Sequence, residues 1–161
     1  MTYNVAMTET ATAHRLEAAA LADEIEFLAA RTRAVGTSIA NRRLAPLGLQ
    51  VRSYSVLALA SADLAPTQRE LADFLRLDPS QIVAIVDELE NARLVRRQPD
   101  PTDRRSKIIV ATPQGKLVHA EAVAATRASE AEALAALTAD EASQLRTLLR
   151  KVAFAEAPPA G

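Results

Sequence analysis

Two helix-start signatures stand back to back in the middle of this chain, and they restrict its fold more than any other feature. In Pro66-Thr67-Gln68-Arg69-Glu70, a threonine is followed at the third helical position by a glutamate. This is the reciprocal arrangement in which each side chain satisfies an amide left without a partner at a helix start. After a break at Leu77, Asp78-Pro79-Ser80-Gln81 repeats the logic: Asp78 caps, Pro79 takes the first helical position, where its missing N–H costs nothing, and Gln81 takes the third. An apolar stripe at helical spacing succeeds each start, Leu71, Phe74 and Leu75 in the first case and Ile82, Ile85, Val86 and Leu89 in the second. Two short helices joined by a tight turn predict a helix-turn-helix.

A hairpin pattern completes the unit. Leu94-Val95-Arg96-Arg97 reads as a strand, Gln98 to Arg105 as a polar loop holding Pro99 and Pro101, and Lys107 to Ala111 as a second strand rich in β-branched residues. A helix-turn-helix joined to a β-hairpin is a winged helix. The remainder is helical. His14 to Ala45 carries Leu16, Leu21, Ile25, Leu28 and Val35 every few residues until Pro46 and Gly48 stop it, and Val51 to Ala60 forms a short helix that has to pack on its neighbours to survive. Gln114 to Leu137 predicts a long alanine-rich helix. A third capping box, Thr138-Ala139-Asp140-Glu141, opens a last helix with Leu145, Leu148, Leu149 and Val152 expected to be buried.

The predicted fold class is therefore mainly α with a small β-hairpin wing. A winged helix-turn-helix over 47–113 is flanked by helical dimerisation segments over 14–46 and 114–154, with disordered ends at 1–13 and 155–161. A winged helix of about 60 residues does not need the flanking helices for its own core. Their stripes are expected to bury against the same helices of a second copy, giving a two-fold homodimer.

Composition narrows the chemistry. There is no cysteine, which removes disulfides, thiolate metal sites and thiol redox sensing together. His14 and His119 are the only histidines, and no spacing with carboxylates suggests a metal cage. Four glycines, with no phosphate-cradling loop and no nucleophile elbow, argue against an enzyme, and no cofactor is expected. Charges interrupt every apolar run, and the first residues lack the basic-then-apolar pattern of an export signal, so a soluble cytoplasmic protein is expected.

The net charge of −1 hides a local asymmetry. Between Arg93 and Lys107, six basic residues (Arg93, Arg96, Arg97, Arg104, Arg105 and Lys107) face only Asp100 and Asp103, a local balance of +4. Adjacent arginines at a hairpin tip suit the minor groove, where negative potential concentrates as the groove narrows. On the second helix, Ser80, Gln81, Val83 and Ala84 begin the solvent face. Glutamine can donate to and accept from an adenine edge, and valine and alanine can meet a thymine methyl. The far end carries Asp87, Glu88 and Glu90, which phosphate would repel, so this helix is expected to enter a major groove by its first turn only.

Several segments bear a likeness to a known family. Leu47-Gly48-Leu49 through Tyr54 and Val56-Leu57, then Gln68-Arg69-Glu70-Leu71-Ala72 and Val86-Asp87-Glu88-Leu89-Glu90, resemble the MarR family of bacterial regulators. The likeness is sharpest at Asp100-Pro101-Thr102-Asp103-Arg104-Arg105-Ser106 and Val110-Ala111-Thr112-Pro113-Gln114-Gly115. It implies a triangular homodimer with two winged helices on a pseudo-palindromic operator in double-stranded DNA. It further implies that Arg104 or Arg105 enters the minor groove, that Asp103 braces the wing, and that Thr67 and Gln68 touch phosphate. Repression, relieved by a small phenolic or anionic effector bound between the dimer helices and the DNA lobes, is the family pattern. Arg31, Arg33, Arg42, Arg43, Arg52 and Tyr54 lie near that region by chain order.

The sequence departs from the pattern at Ala84 and Glu88, where many members are basic, and at Arg93, where glycine is usual. Specificity is accordingly expected to lean on Gln81, the wing and DNA shape. The rival reading is a winged helix that docks a protein and binds no DNA. Salt separates the two, because phosphate contacts weaken with ionic strength and an apolar docking surface responds little.

Overall fold

The structure is a computed structural model describing residues 16–155 apart from Thr102 and Arg104. The ends expected to be disordered lie outside the described residues, except for Ala155. Contacts divide the chain into a first unit ending at Ser38 and a second beginning at Ile39.

The first unit departs from the continuous helix expected from His14 to Ala45. A 3-10 turn, Ala20–Asp23, gives way to an extended Glu24 (φ −75, ψ 129), and only then does α1, Ile25–Leu44, begin. Leu16, Leu21 and Ile25 are 62%, 51% and 85% exposed. Burial stabilises helices more than propensity does, and these side chains have nothing in the unit to bury against.

The second unit carries the core. α1 ends where Pro46 and Gly48 demand. A 3-10 turn, Ala45–Leu47, leads to Gly48 in the left-handed region (φ 68), and Leu49 N–H returns to the Leu44 carbonyl at 3.3 Å. Asn41 Oδ1 then accepts from Val51 N–H at 2.8 Å and fixes the start of α2, Val51–Ser61. α3, Gln68–Leu75, and α4, Pro79–Asn91, come next at the expected caps, and the hairpin pairs β1, Val95–Pro99, with β2, Lys107–Ala111. The strands are antiparallel in the register Val95↔Ala111, Arg97↔Ile109 and Pro99↔Lys107. Leu94, expected in the first strand, lies outside it, and Pro99, assigned to the loop, closes the ladder where its missing N–H does no harm. The segment before α3 adds a third edge, with Ile109 N–H donating to the Pro66 carbonyl at 2.8 Å.

Leu44, Leu49, Val56, Leu57, Leu71, Ile82, Val86, Val95 and Ile109 fill the centre, so the stripes of α2, α3 and α4 and the inner face of the hairpin share one core. Phe74 does not join it. It is 59% exposed and meets Phe154, with ring centroids 6.1 Å apart. α5, Pro113–Ala133, ends before the expected Leu137, and α6, Ala139–Ala153, starts at the predicted box: Thr138 Oγ1 accepts from Glu141 N–H and Glu141 Oε2 from Thr138 N–H. The burial expected along α6 is not met within the chain. Leu145 is half-buried, while Leu148, Leu149 and Val152 are 54%, 55% and 77% exposed. Their stripe points away from the single core this unit possesses. No helix among the described residues is long and apolar enough to cross a membrane.

Candidate nucleic-acid interface

The start of α3 is chemically closed on itself. Thr67 Oγ1 accepts from Glu70 N–H at 3.2 Å and donates to Glu70 Oε2 at 2.8 Å, while Thr67 N–H donates to the same oxygen at 2.7 Å. These bonds, the backbone one foremost, hold the Glu70 carboxyl below its ordinary pKa. The Thr67 hydroxyl proton is thus directed at Glu70; Arg69 is exposed in this turn, and Gln68 beside it is half-buried.

At the start of α4, Asp78 Oδ1 accepts from Ser80 N–H at 2.8 Å and from the Ser80 hydroxyl at 2.5 Å, and the hydroxyl bond, with the backbone one behind it, lowers the Asp78 pKa. Gln81 makes no side-chain box of the α3 kind; its backbone N–H donates to the Asp78 carbonyl at 3.0 Å. Ser80, Gln81, Val83 and Ala84 are exposed, and the turns between them are pinned by buried Ile82, Ile85, Val86 and Leu89. The helix therefore shows solvent a small, nearly neutral face at its first two turns.

Arg97 organises the acidic half. It shares the inward side of β1 with buried Val95, and only 17% of its side chain is exposed. Its Nη2 donates to Asp87 Oδ1 and its Nη1 to Glu90 Oε2, both at 2.5 Å, and its Nε donates to Gln68 Oε1 at 3.0 Å. Glu90 Oε1 in turn accepts from Arg97 N–H at 2.9 Å, and these hydrogen bonds depress the Glu90 pKa. One guanidinium therefore binds the wing, α4 and α3 together and offsets one of the two negative charges of Asp87 and Glu90, while Glu88, exposed on the same helix, stands outside this cluster. Sequence reasoning counts Arg97 as part of the basic hairpin and misses this role. The signal that finds it is strand parity, since a residue two positions after buried Val95 faces the same way.

At the wing tip, Asp103 Oδ1 accepts from Arg105 N–H at 3.0 Å, and its Oδ2 accepts from the Ser106 hydroxyl at 2.9 Å. Ser106 N–H donates to the Asp103 carbonyl at 2.9 Å, and Asp100 N–H to the Ser106 carbonyl at 3.0 Å. This closed turn leaves Arg105 and Lys107 exposed at the base of β2. Arg104 lies outside the described residues.

A second feature escapes the sequence reading. α4 ends with Arg93 in the left-handed region (φ 60), where its N–H returns to the Glu90 carbonyl and the Leu94 N–H to the Leu89 carbonyl, each at 2.9 Å. The Thr112 hydroxyl then donates to the Arg93 carbonyl at 2.7 Å and accepts from Gly115 N–H at 2.9 Å. The end of α4, the hairpin and the start of α5 meet at this joint.

Of the residues that chain order places near an effector, those of the second unit do not form one cluster. Arg42 and Arg43 both grip Glu132, at 2.7 and 2.5 Å, and the pair, Arg43 foremost, keeps the Glu132 carboxyl below its ordinary pKa. Tyr54 stacks on His119 with centroids 6.0 Å apart and accepts from Thr126 Oγ1 at 3.4 Å. Arg52 is exposed, as are Arg31 and Arg33 in the first unit. Among the described residues, no group of three or more His, Asp or Glu side chains is placed to hold a metal ion.

A helix-turn-helix locked to a basic β-hairpin defines a winged-helix protein. Comparison with known proteins narrows the class. Residues 47–106 match the model of the MarR family. A MarR family transcriptional regulator from Rhodococcus sp. RHA1 is 40% identical, with 86% of this chain and 99% of that one covered and a TM-score of 0.79. CouR from Rhodococcus jostii RHA1, solved with p-coumaroyl-CoA, is 41% identical over 86% of this chain and 98% of its own, TM-score 0.76. A MarR family protein of Mycobacterium tuberculosis in complex with DNA is 26% identical over 80% and 97% of the two chains, TM-score 0.67, and has also been solved with salicylic acid and with p-aminosalicylic acid. A search of curated proteins gives no match. The chain belongs to the MarR family of transcriptional regulators.

Proposed function

We propose that this regulator binds double-stranded DNA sequence-specifically as a cytoplasmic homodimer, one winged helix on each half of a pseudo-palindromic operator. It acts as a repressor that a small phenolic or anionic ligand releases, and it works by binding rather than by catalysis. The observation that carries this reading is the pairing of both Asp87 and Glu90 with Arg97. It leaves a near-neutral reading face of Ser80, Gln81, Val83 and Ala84 beside an exposed Arg105 and Lys107, neither of which is held in an ion pair among the described residues. Gln81 reads a base edge, with Val83 and Ala84 against thymine methyls and Ser80 at the groove wall. Gln68 anchors the start of α3 to phosphate, while Thr67, whose two donors are both committed to Glu70, closes that turn instead of touching phosphate as the sequence suggested; Arg104 and Arg105 enter the minor groove, and Lys107 holds the backbone beside it. Asp103 keeps the tip closed.

Dimerisation through the segments 14–46 and 114–154 is supported by the apolar residues these helices leave uncovered, Ile25, Leu149 and Val152 among them. The winged helix itself occupies 47–113. The ligand class is supported by the relatives solved with p-coumaroyl-CoA and with salicylic acid.

The test is selection of bound duplexes from a randomised pool at physiological salt, with the native chain beside an Arg104→Ala/Arg105→Ala variant. An inverted repeat with half-sites about one helical turn apart, blurred in the variant, is the expected result. A folded native chain that enriches nothing, or whose binding ignores salt, would point instead to a protein-docking winged helix.

A further inference from the structure

Gln68 opens α3, half-buried, and Arg97 reaches it from the wing. The Arg97 Nε donates to Gln68 Oε1 at 3.0 Å while the two terminal nitrogens of the same guanidinium are taken by Glu90 and Asp87. A guanidinium nitrogen can only donate, so the atom of Gln68 facing it has to be the carbonyl oxygen, and the amide NH2 is turned the other way. Among the described residues that NH2 has no hydrogen-bond partner, although Gln68 is half-buried and its oxygen is fixed. Arg97 itself is poorly placed to meet a nucleic acid, with 17% of its side chain exposed and its charge shared between two carboxylates.

We propose that Arg97 is a positioning residue for DNA binding: by holding the Gln68 carbonyl it presents the Gln68 NH2 outward as a donor to one DNA phosphate at the start of α3. The inference rests on the DNA-binding function proposed for this chain. Its physical content is preorganisation. A free glutamine side chain samples many rotamers and both amide orientations, and ordering it on binding costs affinity. Arg97 removes both freedoms beforehand. Through Asp87 and Glu90 it also ties this phosphate contact to α4, so the backbone contact and the reading face keep one spacing. A purely structural brace would give a different pattern, because it would matter to folding and leave the Gln68 amide irrelevant to DNA.

The experiment uses the full chain and the duplex that the native chain enriches from a randomised pool. Binding constants and phosphate ethylation interference are measured for native, Gln68→Met, Arg97→Lys and the double variant. Lysine keeps the charge, but a single ammonium cannot reach all three acceptors at once. Each single variant is expected to weaken binding about tenfold, the scale of one hydrogen bond to a charged group. The double variant is expected to be no weaker than the worse single one, since both remove the same contact. Interference is expected to vanish at one phosphate per half-site in both singles and to persist at the others. Additive losses, or an interference pattern unchanged in Gln68→Met, would overturn the assignment. If Arg97→Lys does not fold, Gln68→Met, whose melting temperature is expected to stay near that of the native chain, decides by phosphate mapping alone. A native chain that enriches no duplex overturns the DNA-binding reading and this one with it, whereas native binding indifferent to Gln68 overturns this one only.

Discussion

The backbone carbonyl of Leu94 occupies the place a side chain on Gly115 would need: a Cβ built on Gly115 lies 1.9 Å from the Leu94 oxygen. No rotamer relieves that overlap, because the obstacle is backbone. Gly115→Ala is therefore expected to destabilise the chain by about 3 kcal/mol, the upper range for overpacking a closed site. Denaturant unfolding measures it, and a loss below half that size would show that α5 can slide away from the strand.

Arg93 presents the opposite case. It holds a left-handed conformation (φ 60) that costs a side-chain-bearing residue on the order of 1 kcal/mol. Arg93→Gly is expected to stabilise the fold by about 0.5 kcal/mol once the extra freedom of glycine in the unfolded chain is deducted. Gly48→Ala, at the equivalent end of α1 (φ 68), is expected to go the other way. Thermal unfolding of the two variants beside the native chain checks both signs.

The capping carboxylates give stability a defined dependence on acid. Glu70 and Glu141 have folded pKa values below the ordinary glutamate value, chiefly through the backbone N–H groups of Thr67 and Thr138. A depressed folded pKa contributes stability that is fully present above the unfolded pKa and is lost as pH falls through the folded one. Unfolding free energy is thus expected to decline below about pH 5. Glu70→Gln and Glu141→Gln should flatten that decline while leaving its onset in place. A decline of unchanged slope in the double variant would remove the caps from the explanation.

The exposed residues of α6 make the dimer testable without DNA. Leu149→Glu with Val152→Glu places charges on side chains that are 55% and 77% exposed in the single chain, so the protomer fold is expected to survive. If these residues bury against a second copy, sedimentation at micromolar protein shifts from dimer to monomer. A variant that remains dimeric would move the interface elsewhere.

The helix starts were legible because capping is local chemistry: Thr67, Asp78 and Thr138 each carry the information within a few residues. The ends were not, since α4 closes through Arg93 and Leu94, and the Arg93 carbonyl is met by the Thr112 hydroxyl far along the chain. Phe74 sits at helical spacing with Leu71, yet lies just beyond the rim of the shared core, a matter of helix orientation that periodicity cannot carry. The candidate interface was legible as residue types and not as charge. Counting Arg97 among free cations and Asp87 and Glu90 among repelling anions misses that the three are paired, and only the packing of strand against helix brings them within reach.

The Thr112 joint also ties α5 to the base of the wing. Only Thr112 separates the end of β2 from the start of α5, and its hydroxyl is committed on both sides, to Arg93 and to Gly115. A tilt of α5 therefore cannot leave the base of the wing in place without breaking one of those two hydrogen bonds.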